Sequence, residues 1–136
     1  MNTLIMTTLF SRIIAWEIPS FKVYEDEYVY AFLDIFPQAI GHTLIIPKCE
    51  VDHFSDLPEP HYNALFQAAK KISKAIQKAT GCKRICAMFI GYDIPHCHYH
   101  LIPTNSIEDT VLQKKPQWDM EELEEMRKRI VEALEK

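Results

Sequence analysis

The sequence predicts an α+β fold: a mainly antiparallel five-stranded sheet with a long central helix and a C-terminal helix. Three observations carry that expectation. Two β-rich runs lie side by side near the start, the hydrophobic period turns helical in the middle of the chain, and no regular strand–helix–strand alternation links them. At 136 residues the chain reads as a single domain, 1–136, long enough to bury a real core.

The elements follow in order. FKVYEDEYVYAFLD (21–34) reads as two short strands around the charged turn Glu25-Asp26-Glu27. IFPQAIGH supplies two breakers, Pro37 and Gly41, before a third strand in HTLIIP, His42 to Pro47. From Pro58 to Thr80 the apolar residues Tyr62, Leu65, Phe66, Ala69, Ile72, Ile76 and Ala79 mark one side of a helix, and Gly81 is its natural stop. Lys70, Lys71, Lys74 and Lys78 then form a solvated face. RICAMFIG (84–91) has little polar character, which predicts a central fourth strand, and PHCHYHLIP (95–103) is the fifth. Asp119 followed by Glu122 has the pattern of a helix cap, and Leu123, Met126, Ile130 and Leu134 give the helix it opens (119–134) one apolar stripe.

Composition removes several function classes. Fifteen basic residues against nineteen acidic ones leave a net charge of −4, with no basic patch to hold a nucleic-acid polymer, though a single nucleotide can still be bound locally. The four cysteines, Cys49, Cys82, Cys86 and Cys97, read as buried reduced thiols, which suits a reducing cytoplasm. The apolar start MNTLIMTTLF has no basic flank and meets Arg12 before reaching a spanning length, so neither a signal peptide nor a membrane partner is expected.

The chemistry concentrates in His96, His98 and His100. On a regular strand all three imidazoles share a face, about 6.5–7 Å apart at the backbone, with Cys97, Tyr99 and Leu101 on the other. Two such rings can share zinc, but zinc needs three or four ligands, and Asp93 is the one nearby carboxylate. A neutral imidazole, with its ordinary pKa of about 6.5, is also a competent nucleophile toward phosphorus, while a neighbouring ring can donate to phosphoryl oxygens. Like charges so close oppose one another, which favours a divided set with one neutral attacker and one or two donors. Metal, phosphate and purely structural readings stay open on the spacing alone.

HCHYHLIP matches the H-φ-H-φ-H-φ-φ pattern of the histidine triad (HIT) family. LFSRIIAWEIPS (9–20), VYEDEYVYAFLDIFPQAIGHTLIIPK (23–48) and FSDLP (54–58) resemble further family blocks in the same order, so the resemblance covers about residues 8–103. It implies a HIT-like fold whose sheets join across a homodimer, and the activity of the small nucleotide phosphoramidase and dinucleotide hydrolase branch, with no cofactor. Carried over by position, His98 attacks the α-phosphorus of a purine nucleotide conjugate and forms a nucleotidyl-histidine. His100 bonds the phosphate, His96 helps fix the His98 ring, and His42 extends the network. Asp34 matches the carboxylate that takes the ribose hydroxyls, although its position also suits a strand-end turn. Leu9, Phe10, Ile13, Phe32 and Ile35 match positions around the base; Phe32 reads equally as core.

The same resemblance marks departures. Thr8 and Ser11 stand where many bacterial relatives carry a zinc-binding C-x-x-C, so no metal site is expected there, although His53 and His96 lie near the places of further ligands. GYDI (91–94) replaces a longer loop before the triad. Gly91 still permits close backbone approach to phosphate. Asp93 stands where relatives help the leaving group, as a proton donor or as an orienter of a cationic amine. A nucleotide-binding module with little turnover and a His-ligated metalloenzyme are the rival functions. His53 and His61 fall outside the constellation, His61 as an expected surface residue; Trp118 is placed to pack on a partner or rim the site.

Overall fold

The computed structural model describes residues 8–136; the first seven, on which much of the reading of the apolar start rests, lie outside the described residues. Helix α1 (Leu9–Ile14) precedes β1 (Lys22–Glu25), β2 (Val29–Leu33) and β3 (Thr43–Pro47). Then come the long α2 (His61–Thr80), β4 (Arg84–Phe89), β5 (Tyr99–Thr104) and α3 (Met120–Leu134). The five strands form one antiparallel sheet in the order β1-β2-β3-β5-β4. Among the described residues no helix is long and apolar enough to cross a membrane.

Strand alternation sorts the apolar residues onto two faces. Val29, Ala31 and Leu33 of β2, Ile45 of β3 and Leu101 of β5 join Leu65, Ile72 and Ile76 of α2 and Leu123, Met126 and Ile130 of α3 in the main core. Tyr30, Phe32, Leu44 and Ile46 point the other way and pack with Phe10 and Ile13 of α1. Local chemistry sets the boundaries as expected. Asp26 Oδ1 accepts from the N–H groups of Tyr28 and Val29 and closes the first hairpin. Gly81 ends α2 at φ 73, and the Asp119 side chain accepts from Glu122 N–H at the start of α3.

Two expectations need correction. Among the described residues β4 is an edge strand, not a central one: it pairs only with β5, and its residues are half-buried or exposed. Its apolar character reflects one face packed on the helices and aromatic side chains, not burial on both sides. Nor is the histidine segment one continuous strand, because β5 begins at Tyr99 and leaves His96 and His98 in irregular backbone before it. One smaller reading also shifts: the His61 ring is half-buried against Tyr28 at 5.3 Å. Trp118 packs against its own chain's core, and its backbone N–H donates to the carbonyl of Ile35.

Candidate active site

Register places the site. Phe32 pairs with Leu44 and Leu44 with His100, so His100 stands on the α1 face of the sheet, across from the main core. His42 immediately precedes β3. Gly41, at φ 103, lets the chain pass the end of α2; a Cβ there would lie 2.9 Å from Thr80 Cγ2. The His98 and His100 ring centres are 5.0 Å apart, and those of His42 and His100 are 5.2 Å apart.

His96 departs from the row of three. Its ring is fully buried and turned between α1 and the end of β3, and it lines none of the clefts around the site. Its Nε2–H donates to the carbonyl of Pro47 at 2.9 Å, so Nδ1 is left to accept the Thr8 hydroxyl at 2.7 Å. The backbone carbonyl of His96, in turn, accepts Nδ1–H of His98 at 2.7 Å. That bond fixes the His98 tautomer, since a carbonyl can only accept, and it leaves Nε2 of His98 bare.

A second backbone group orders the other pair. The N–H of Gln38 donates to Nδ1 of His42 at 3.0 Å, so His42 carries its proton on Nε2 and donates it to Nδ1 of His100 at 3.0 Å. The proton of His100 therefore sits on Nε2, whose present acceptor, the Ile90 carbonyl, is distant at 3.4 Å. Burial, reinforced by His100, pushes the His42 pKa down to about 3. Burial and then the adjacent His98 push that of His100 down to about 4. Burial also lowers that of His96. Burial thus holds His42, His96 and His100 toward their neutral forms, while Nδ1–H of His98 is spent on the His96 carbonyl and Nε2–H of His100 has only the distant Ile90 carbonyl.

Two clefts meet at His98. The first, about 350 Å³, is lined by Phe10, Ile13, Phe32 and Ile35 with Leu9 at its exposed edge, and by Asp34 and Asp93 at its polar end. Phe10 sets its ring 4.9 Å from that of His98 and 5.7 Å from that of Phe32. Phe32 is thus both core and cleft wall. Asp34 Oδ1 accepts from Phe36 N–H, the strand-end turn anticipated for it, and burial raises its carboxyl pKa against that bond. The second cleft, about 500 Å³, is lined by Asp52, His53, the stacked pair Phe54 and Phe89, Gly91 and Tyr92, and also by Cys97 and His98. A Cβ on Gly91 would lie 3.8 Å from Cε1 of His98, so glycine leaves room beside that ring. Asp93, largely exposed, holds Oδ1 3.5 Å from Nε2 of His98.

Asp34, His42 and His100 bring one potential metal-ligating atom each within 4.8 Å of one another. The tautomers oppose a cation there. With Nδ1 of His42 occupied by the Gln38 N–H, its Nε2 could ligate only after losing the ring's last proton. Sequence reasoning missed Gln38, Thr8 and Glu50 as partners of the site. Glu50 holds the start of α1, accepting from Thr8 N–H at 2.8 Å and from the Ser11 hydroxyl at 2.6 Å, and Thr8 in turn reaches His96. The T-x-x-S spacing of Thr8 and Ser11 is the one signal that pointed there.

Comparison with known proteins agrees with this fold. A sequence model described as the HIT domain matches residues 15–107. Adenosine 5′-monophosphoramidase HNT1 of Saccharomyces cerevisiae is 35% identical over 136 residues, spanning 98% of this chain and 86% of that protein. Adenylylsulfatase HINT3 of Arabidopsis thaliana is 36% identical over 107 residues, 75% of this chain and 54% of that one. Among solved structures, a Hit-like protein from Bartonella henselae superposes with a TM-score of 0.83 at 36% identity, covering 93% of this chain and 95% of its own. A histidine triad nucleotide-binding protein from Sulfolobus tokodaii gives 0.82 at 30% identity, over 93% and 91%.

Proposed function

This chain belongs to the HIT domain family, and from that premise we propose that it is a nucleotide hydrolase or transferase acting at the α-phosphate of purine nucleoside conjugates, phosphoramidates foremost. The observation that carries the reading is the His98–His96 backbone bond, which leaves a bare Nε2 where two clefts meet. The first cleft takes the nucleoside, with the base between Phe10, Phe32 and their neighbours and the ribose hydroxyls on Asp34. Nε2 of His98 attacks phosphorus; the P–Nε2 bond forms as the bond to the leaving group breaks. His100 donates Nε2–H to a phosphoryl oxygen as charge shifts onto it. Water then releases the nucleoside monophosphate and restores His98.

The second cleft supports an amine as the leaving group. Its described lining holds the carboxylate of Asp52 and three aromatic rings but no Lys or Arg, a poor seat for a second anionic nucleotide or sulfate. Asp93, exposed beside Nε2, orients the cationic amine, which takes its proton from solvent in this open cleft. That ordering favours the phosphoramidase activity named for the yeast relative over the adenylylsulfatase activity named for the plant one. The unpaired edge of β4 is where a second copy would continue the sheet in a homodimer.

A short incubation with an α-labelled nucleoside phosphoramidate, quenched in base, tests the mechanism. Acid-labile, base-stable label on His98 is expected. Multiple turnover without any such adduct would replace covalent catalysis with direct attack by water.

A further inference from the structure

We propose that Glu50 and Thr8 are positioning residues that form a latch, holding helix α1 against the His96–His98 segment so that the base-binding wall and the nucleophile keep one fixed relation. The proposal rests on the reading of His98 as nucleophile and of the α1 face as the base site. Its motive is that α1 is only six residues long, too short to hold itself. The groups that hold it come from elsewhere in the chain.

Thr8 caps α1, its hydroxyl oxygen accepting Ser11 N–H at 3.1 Å. Its own N–H leaves the helix and donates to Glu50 Oε1 at 2.8 Å, and the Ser11 hydroxyl donates to the same oxygen at 2.6 Å. Glu50 lies in the loop after β3. The next residue, Val51, offers its carbonyl to the N–H of Cys97 at 2.6 Å, so the loop that anchors α1 also anchors the peptide between His96 and His98. The Thr8 hydroxyl closes the circuit by donating to Nδ1 of His96 at 2.7 Å. Two residues along α1, the Phe10 ring edges onto His98, and Leu9, Phe10 and Ile13 form the wall of the first cleft.

A carboxylate accepting two donors at one oxygen makes charge-assisted bonds stronger than a neutral cap supplies. The donors hold the Glu50 carboxyl below the usual carboxylate range. A cap that served α1 alone would need neither the bond to His96 nor the tie from Val51 to Cys97. The chain of contacts runs from Glu50 through Thr8 to the His96 ring, and from the His96 carbonyl to His98. Small displacements of a nucleophile cost rate out of proportion to the stability lost.

The test uses Glu50→Ala and Thr8→Val with their conservative counterparts Glu50→Gln and Thr8→Ser. Melting temperature controls for folding, and the readouts are AMP affinity, kcat and KM for adenosine 5′-phosphoramidate, and histidine nitrogen-15 spectra. Glu50→Ala is expected to weaken AMP and raise KM by about tenfold, and Glu50→Gln to recover most of the loss because an amide oxygen accepts the same bonds. Thr8→Val is expected to lower kcat by about tenfold as well, with the His98 nitrogens moving toward an average of tautomers, and Thr8→Ser to restore both. Wild-type AMP affinity, kcat and His98 spectrum in both disruptive variants overturn the latch, as does a Glu50→Gln as impaired as Glu50→Ala. The latch and the nucleophile fail separately. If wild type forms no adduct yet the His98 spectrum moves in Thr8→Val, the tie from Thr8 to His98 stands and only the covalent role of the ring it positions falls.

Discussion

His42 donates its Nε2–H to Nδ1 of His100 across 3.0 Å, and the N–H of Gln38 compels that direction by occupying the other nitrogen of His42. The donor that reaches the phosphate in the proposed reaction, Nε2–H of His100, is thus set two hydrogen bonds away. Removing His42 as His42→Ala frees His100 to place its proton on either nitrogen. A fall in kcat of about tenfold, the rate equivalent of one hydrogen bond, is expected with KM little changed. Steady-state kinetics that show the reverse split would assign His42 to binding.

Asp34 has one oxygen tied to the Phe36 N–H and the other 3.8 Å from a neutral His42, beyond hydrogen-bond reach. Among the described residues that second oxygen accepts no hydrogen bond, which leaves it for the ribose hydroxyls in the proposed reaction. Asp34→Ala is expected to weaken ribonucleotides at least tenfold more than their 2′,3′-dideoxy analogues, about the value of a charged hydrogen bond. Equal losses in a titration would move the ribose elsewhere.

Acid should destabilise the fold through its histidines. His42 and His100 have folded pKa values of about 3 and about 4, both below the unfolded value. Between that unfolded value, about 6.5, and the folded ones, the unfolded chain binds more protons than the native one, so stability falls as pH falls. Their stabilising effect is complete above pH ~6.5 and is lost downward through that window, by up to about 1.4 kcal/mol per pH unit for each group. Urea midpoints at descending pH read the slope, and His42→Ala should flatten it. An unchanged slope would mean that burial does not keep His42 neutral.

Metal and imidazole chemistry separate under a chelator. EDTA is expected to leave activity intact, because in the close donor set found among the described residues, Asp34, His42 and His100, the Gln38 N–H takes Nδ1 of His42 and the remaining His42 proton is given to His100. His98→Ala is expected to abolish turnover and spare AMP binding. Loss of activity to EDTA with recovery on zinc would instead favour the metalloenzyme.

The β4 edge, with Met88 and Phe89 half-buried and its outer backbone unpaired among the described residues, predicts self-association. Sedimentation should give a dimer. Ala87→Pro, which removes a backbone donor from β4, should shift the equilibrium toward monomer if pairing runs along this edge.

Much of this was legible in the residues because it depends on near neighbours in the chain. The β-rich runs in 21–34 and 42–47 named β1, β2 and β3, and period-3.6 spacing found α2 and α3. Gly81 and Asp119 ended and opened helices through bonds a few residues long. The same local logic brought His98 and His100 together in advance. Other features depended on partners that no local pattern names. RICAMF reads as buried on both faces, yet edge or centre is a matter of which strands pair, and β5 took the inner place. His96 left the row because Thr8, 88 residues away, and the Pro47 carbonyl, 49 away, captured its ring. Sequence therefore determined the strands and helices and the residue types gathered in them. Tertiary structure decided which nitrogen holds each proton, because a tautomer answers to whatever backbone donor or acceptor folding brings within 3 Å.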